Sequence, residues 1–98
     1  MRMDKPIIRR EMLSATEDHA FVLTDGVKLY NVKDLYEALD SISDEVFRHH
    51  VAPKKNDFIP WLREVLYDKK LGRMLRWTTS KDTMREKIKE YMDTYYIQ

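Results

Sequence analysis

The residues whose types could do chemistry lie close together in one stretch, RHHVAPKKNDFIPW, which spans residues 48–61. Adjacent side chains point about 100° apart on an α-helix, so His49 and His50 cannot hold one metal ion together. At the useful helical spacing of three or four residues only Glu45 lies near His49, and a single such pair is common by chance. We therefore predict no metal site, with His49 solvated and His50 half-buried at a helix end.

The second half of that stretch has an Asn-Asp pair before two large aromatic residues. Asn56 or Asp57 is predicted to cap a helix that Phe58 and Trp61 anchor in the core, and a ligand site at the pair is the alternative. The sequence contains no nucleophile elbow, Gly-rich phosphate loop or H-E-x-x-H motif. We therefore predict that the protein is not an enzyme and needs no cofactor.

Composition limits the kind of chain that holds these residues. Its 98 residues fit one domain, with 43% hydrophobic and 36% charged residues, as in a folded protein with one core. No apolar run approaches the roughly 20 residues that span a bilayer, and the charged N-terminus does not resemble a signal peptide. The absence of cysteine excludes disulfides and thiolate chemistry. We expect a cytoplasmic protein without a membrane partner.

The net charge of +1 conceals an uneven distribution along the chain. Residues 1–68 carry 10 basic and 13 acidic side chains, a balance of −3, whereas residues 69–98 carry 8 and 4, a balance of +4. The C-terminal third is therefore the only part that this distribution indicates as a polyanion-binding face.

Residues 20–30, AFVLTDGVKLY, are predicted to form a β-hairpin. Asp25-Gly26 is a pair that a type I′ turn favours, because both of its central positions need a positive φ. The register that this turn implies places Val22 opposite Leu29, and Phe21 opposite Tyr30.

Helical spacing and capping residues predict the remaining elements. Residues 6–15 are predicted as a first short helix, since Pro6 suits a first helical position. Further helices are predicted to begin at Asn31, Ser43, Asn56 or Asp57, Asp68, and the capping box that starts at Thr79. The last of them, about residues 80–96, is amphipathic. The predicted fold is mainly α, a single small domain (residues 1–98) of five to six short helices with one β-hairpin.

These motifs together resemble a largely archaeal and bacterial family of small domains of unknown function. The resemblance covers about residues 17–75, and Pro60 departs from its pattern. The matching positions are Phe21, Asp25, Gly26, Leu35, Leu39, Phe47, His50, Val51, Asn56, Asp57, Phe58 and Trp61. The resemblance implies a fold and an origin but no activity. It also implies that His50, Asn56, Asp57 and Trp61 form a fixed polar junction, with the His50 ring bonded to the loop around Asn56.

Two functions remain open. The first is a non-catalytic module that binds a protein partner or itself, as a homodimer, through the apolar stripe of the last helix: Met84, Ile88, Tyr91, Met92 and Tyr95. The alternative is nucleic-acid binding by the basic C-terminal third, in which cations neutralise phosphates and Trp77 stacks on a base. The cations of that alternative are Lys69, Lys70, Arg73 and Arg76.

Overall fold

Short helices make up most of the chain. The computed structural model describes residues 8–97. In chain order the elements are a 3₁₀ turn (Glu17–His19), β1 (Phe21–Val22), β2 (Lys28–Leu29), α1 (Val32–Ser41), α2 (Asp44–His50), β3 (Val51–Ala52), β4 (Lys55–Asn56), α3 (Phe58–Glu64), α4 (Lys69–Met74) and α5 (Lys81–Tyr95). This order confirms the predicted fold class, a small and mainly α domain with a β-hairpin, and adds a second hairpin.

Capping side chains set most helix starts where the sequence predicted them. Asn31 accepts a hydrogen bond from the Asp34 N–H at 2.8 Å and begins α1. Ser43 and Asp68 begin α2 and α4 in the same way. Helix α5 begins at Ser80, which accepts from the Thr83 N–H, so the cap lies one residue later than the predicted Thr79.

The first hairpin has a different register from the predicted one. Phe21 pairs with Leu29 and Val22 with Lys28, because the loop has three residues between Leu23 and Val27. Gly26 has the positive φ, 92°, whereas Asp25 has none and instead accepts from the Val27 N–H. A three-residue loop needs only one left-handed residue, so the type I′ prediction is wrong. The shift buries Leu23 and Leu29 and leaves Val22 exposed.

The second hairpin, β3–β4, was not predicted. Val51 pairs with Asn56 and Ala52 with Lys55, around a turn that contains Pro53. Two-residue strands are too short to show the alternating pattern by which strands are recognised. The hairpin follows α2 directly and delivers the chain to the start of α3, where Asp57 N–H donates to His50 O at 2.9 Å.

The predicted helix over residues 6–15 is wrong in the described part, residues 8–15, where the chain is not helical. Residues 6 and 7 lie outside the described residues. Arg10 instead pairs in parallel with Tyr96: its N–H donates to Tyr95 O at 3.0 Å, and the Ile97 N–H donates to Arg10 O at 2.9 Å. The backbone groups that a short helix would have satisfied internally are paired with the far end of the chain.

One core holds the domain together, and α5 is part of it. Helix α5 packs on α1, and α3 packs on α4. The side chains buried most completely come from every helix except α2 and include Leu35, Leu39, Phe58, Leu62, Leu71, Leu75, Met84 and Ile88. Residues 17–75 therefore do not form a complete core without the last helix.

A buried carboxylate connects the two ends of the described chain. Asp68 is 2% exposed and accepts a hydrogen bond from Tyr91 Oη at 2.6 Å and another from Tyr96 Oη. Arg10 Nη2 lies 2.8 Å from the same carboxylate. Burial first, and then the hydrogen bonds to Asp68, raises the pKa of Tyr91 and Tyr96 above the ordinary tyrosine value. We call these four residues the terminal cluster.

Candidate functional site

The His50 ring has both of its nitrogens engaged. It is 5% exposed, Nε2 accepts from the Thr24 N–H at 3.2 Å, and Nδ1 lies 3.1 Å from Asp57 Oδ2. Because Nε2 accepts, Nδ1 must carry the proton and donate it to Asp57. The expected bond from the ring to this loop is present, and it goes to Asp57 rather than Asn56. The ring is buried rather than half-buried, and neither nitrogen is left for proton transfer or for a metal.

The other residues of this junction also have structural contacts. Asn56 Oδ1 accepts from the Phe58 N–H at 3.0 Å, so Asn56 satisfies the helix start while Asp57 bonds His50. Trp61 Nε1 donates to His19 O at 2.9 Å and fixes the 3₁₀ turn against α3. Within residues 8–97 there is no group of three or more His, Asp or Glu side chains that could hold a metal ion.

The apolar stripe of α5 faces the interior of its own domain. Met84 and Ile88 are fully buried and Tyr91 is 4% exposed, while Tyr95 is partly buried. Side chains in these positions cannot form a contact surface while α5 stays packed on α1. The prediction that Met84, Ile88 and Tyr91 contact a partner is therefore corrected: they belong to the core of their own domain. The amphipathic pattern indicated correctly that one side of α5 is buried, but it could not indicate the packing partner.

Four cationic side chains from α3, α4 and the turn after α4 converge on one cavity. The cavity is about 230 Å³ and is lined by Ile59, Arg63, Lys69, Gly72, Arg73 and Arg76. Lys69 and Arg73 lie four residues apart on one face of α4, and Arg76 follows in the turn after the helix. Lys70 points elsewhere, to Tyr95 of α5, and does not line this cavity.

A more open groove adjoins the cavity and shares Ile59 and Arg76 with it. The groove is about 540 Å³, open to solvent, and is lined by Pro53, Lys54, Lys55, Asn56, Ile59, Pro60, Arg76 and Trp77. Trp77 is 79% exposed, and the Arg76 guanidinium lies 6.0 Å from the centre of its ring. We call the cavity and this groove together the basic groove.

Few acidic groups neutralise the basic groove. Arg63 lies 3.4 Å from Glu64, and Lys55 lies 3.5 Å from Asp57. Among residues 8–97, no carboxylate lies within 4 Å of Lys69, Arg73 or Arg76. Like charges four residues apart, such as Lys69 and Arg73, destabilise a helix by about 0.2–0.5 kcal/mol. A bound anion would remove this repulsion.

The structure brings together three of the four predicted cations with Trp77 and adds residues that the sequence did not indicate. Arg63 and Lys54 line this surface although they belong to residues 1–68, whose net charge is negative. The charge count along the chain therefore did not indicate them. The spacing of Ile59 and Arg63 places both on one face of α3, which was the one available signal. The packing of this face against α4 is a tertiary contact, which the spacing of residues within α3 does not predict.

Comparison of the chain with protein-family models, with curated proteins and with solved structures gives no match. The family resemblance described from the sequence therefore stays a prediction. No helix within residues 8–97 has the length and apolar character needed to cross a membrane.

Proposed function

We propose that this protein is a non-catalytic nucleic-acid-binding module and that the basic groove is its binding surface. One observation carries the proposal: Arg63, Lys69, Arg73 and Arg76 converge on one cavity next to an exposed tryptophan. Cations that neutralise phosphates supply most of the affinity for nucleic acid, and exposed aromatic rings supply a surface on which bases stack. We further propose a cytoplasmic location, where nucleic acid is available.

The lining of the cavity favours a phosphate group over a metabolite. Sites for small organic ligands usually measure roughly 300–1,000 Å³ and are mainly apolar. In this cavity of about 230 Å³, by contrast, four of the six lining residues are cationic. The ligand it fits best is one anionic group of a larger molecule that continues into the groove.

A protein partner, or a second copy of the chain, is the alternative occupant of this surface. Exposed tryptophan and arginine are enriched in protein interfaces, and Trp77 and Arg76 lie side by side. The stripe of α5 no longer supports self-association, because it is buried in its own domain. Light scattering of the purified chain decides between these cases: a stable homodimer that Trp77→Ala dissociates would favour the alternative.

Binding of fluorescently labelled oligonucleotides of 12 nucleotides tests the proposal directly. Wild-type protein should bind at low salt, and the logarithm of the association constant should fall linearly with the logarithm of salt concentration. Each neutralised phosphate contributes about −0.7 to the slope for a single strand, so one phosphate in the cavity and one or two beside Lys54 and Lys55 give a slope of about −1.4 to −2.1. The variant Arg73→Gln/Arg76→Gln should lose at least about tenfold in affinity, which corresponds to roughly 1.4 kcal/mol.

The matched control is Lys33→Gln/Lys89→Gln, which removes the same charge from two exposed side chains outside the groove. It should leave affinity almost unchanged. An equal loss in both double variants would mean that binding follows net charge rather than this surface. Absence of binding to both single-stranded and duplex oligonucleotides at low salt would refute the proposal.

A further inference from the structure

We infer that the ligand is single-stranded nucleic acid, with one base stacked on Trp77 and a neighbouring phosphate in the cationic cavity. This inference rests on the proposed function and specifies its substrate.

The two tryptophans of the chain differ in how the fold uses them. Trp61 is 7% exposed and its indole N–H is bonded to His19 O. Trp77 is 79% exposed. What distinguishes Trp77 is its place beside a basic cavity, where a ligand held by its anionic groups has an indole face next to it.

The backbone on both sides of Trp77 is fixed although its ring is exposed. Thr78 is buried; its N–H donates to Leu75 O at 3.1 Å, and its hydroxyl accepts from Lys87 Nζ at 2.9 Å. Lys87 also reaches Met74 O at 3.4 Å, so one side chain of α5 ties down the end of α4 and the turn. The indole is therefore presented on a rigid support, which lowers the entropy cost of stacking.

The groove next to the indole has the chemistry that a base needs. Pro53, Ile59 and Pro60 line it with apolar surface, and Lys54 lies at the same groove. Arg76 lines both the groove and the cavity, so it lies between the place for a base and the place for its phosphate. A base in a duplex is stacked on both faces and cannot use an indole surface. An unpaired base can, whatever its identity.

Three labelled nucleic acids, each 12 nucleotides long, separate the contribution of base stacking from that of phosphate contacts. They are a thymidine single strand, an abasic strand with the same number of phosphates, and a duplex of the same length. We expect the thymidine strand to bind best and to quench the emission of Trp77. Loss of one stacked base lowers affinity by about 5- to 150-fold, so the abasic strand should bind that much more weakly.

The variant Trp77→Ala should lower affinity for the thymidine strand by the same factor and leave the abasic strand unaffected. Trp77→Phe should recover part of the affinity, because phenylalanine retains a stacking face. Tyr67→Ala is the matched control, since Tyr67 is also highly exposed and lines a different pocket. It should bind all three ligands as the wild-type does.

The outcomes distinguish this inference from the function on which it rests. Tighter binding of the duplex would overturn the inference and leave the proposed function intact. Equal affinity for abasic and thymidine strands, with no effect of Trp77→Ala, would do the same. If none of the three ligands binds at low salt, both the inference and the proposed function fail.

Discussion

Helix α4 lies between two polar regions whose charged side chains differ in burial and in their partners. At its start, Asp68 of the terminal cluster is buried and bonded to Tyr91, Tyr96 and Arg10. Along its outer face, Lys69 and Arg73 point into a cavity that two more cations line. A buried charge with a full set of partners fixes structure, whereas converging like charges in contact with solvent favour a counterion. The comparison predicts that substitutions in the first region change stability and those in the second change binding.

The largest effect is expected from Asp68→Ala. This change leaves two buried tyrosine hydroxyls without their acceptor, removes the partner of Arg10 and takes the cap from α4. Breaking such a buried network costs about 3–5 kcal/mol of unfolding free energy. Urea denaturation measures it. The control is Asp40→Ala, at an exposed carboxylate 3.9 Å from Arg85, where a change of at most about 0.5 kcal/mol is expected. Similar stabilities for both variants would contradict the role of Asp68.

Alkaline pH should destabilise the protein through the same cluster. Burial raises the pKa of Tyr96 in the folded state, so the folded tyrosine keeps its proton where the unfolded one, with a pKa of about 10, loses it. The folded state then binds more protons than the unfolded state, and stability falls as pH rises above about 10. Each such tyrosine contributes up to about 1.4 kcal/mol per pH unit.

Tyr96→Phe tests this pH dependence. The variant starts from a lower stability, because it loses the hydrogen bond to Asp68. Between pH 10 and 11 its stability should fall less steeply than that of the wild-type, by up to about 1.4 kcal/mol per unit. Parallel curves for the two proteins over this interval would show that Tyr96 ionises equally in both states.

A smaller loss of stability is expected from His50→Leu. Leucine preserves apolar contact with Phe21 and Phe58, but it leaves the Thr24 N–H without its acceptor and removes the donor to Asp57. The cost should be about 1–2 kcal/mol in thermal or urea unfolding, with oligonucleotide affinity unchanged. His49→Leu is the matched control at the exposed neighbour and should be nearly neutral. Lost affinity with unchanged stability would mean that His50 belongs to the binding surface.

The smallest effect, and one of opposite sign, is expected from Gly72→Ala. A Cβ at this position would lie 3.6 Å from Ile59 Cγ2, an ordinary contact, and alanine favours a helix interior by about 0.5–1 kcal/mol over glycine. We therefore expect a more stable protein. Because Gly72 lines the cationic cavity, the added methyl group should also lower affinity for oligonucleotides. A loss of stability would show that the wall between α3 and α4 does not accommodate it.

Local signals predicted the elements that depend on local interactions. The caps at Asn31 and Ser43 and the buried stripe of α1 are satisfied within a few residues of chain, so the sequence alone indicates them. The segment around Arg10 failed as a helix because its backbone pairs with Tyr96, 86 residues away, and no short pattern contains that partner.

The candidate site shows the same limit. Lys69, Arg73 and Trp77 were predicted from the charge and spacing of one segment. Arg63 joins them through the packing of α3 on α4, and Lys54 joins them through a hairpin too short to recognise. The stripe of α5 illustrates the reverse error, because a pattern that requires burial does not say whether the covering surface belongs to the same chain.

The parallel pairing of Arg10 with Tyr96 has a mechanical consequence. In a parallel pair the N-terminal chain leaves at one end and the C-terminal chain leaves at the other. A force that pulls the two ends of the described chain apart therefore acts along this bridge and loads both backbone hydrogen bonds and the Arg10–Asp68 ion pair at the same moment, in shear. An antiparallel pair would open one bond at a time. Extension by the ends of the described chain is thus resisted at this bridge, and the rate at which the bridge ruptures sets the force at which the domain unfolds.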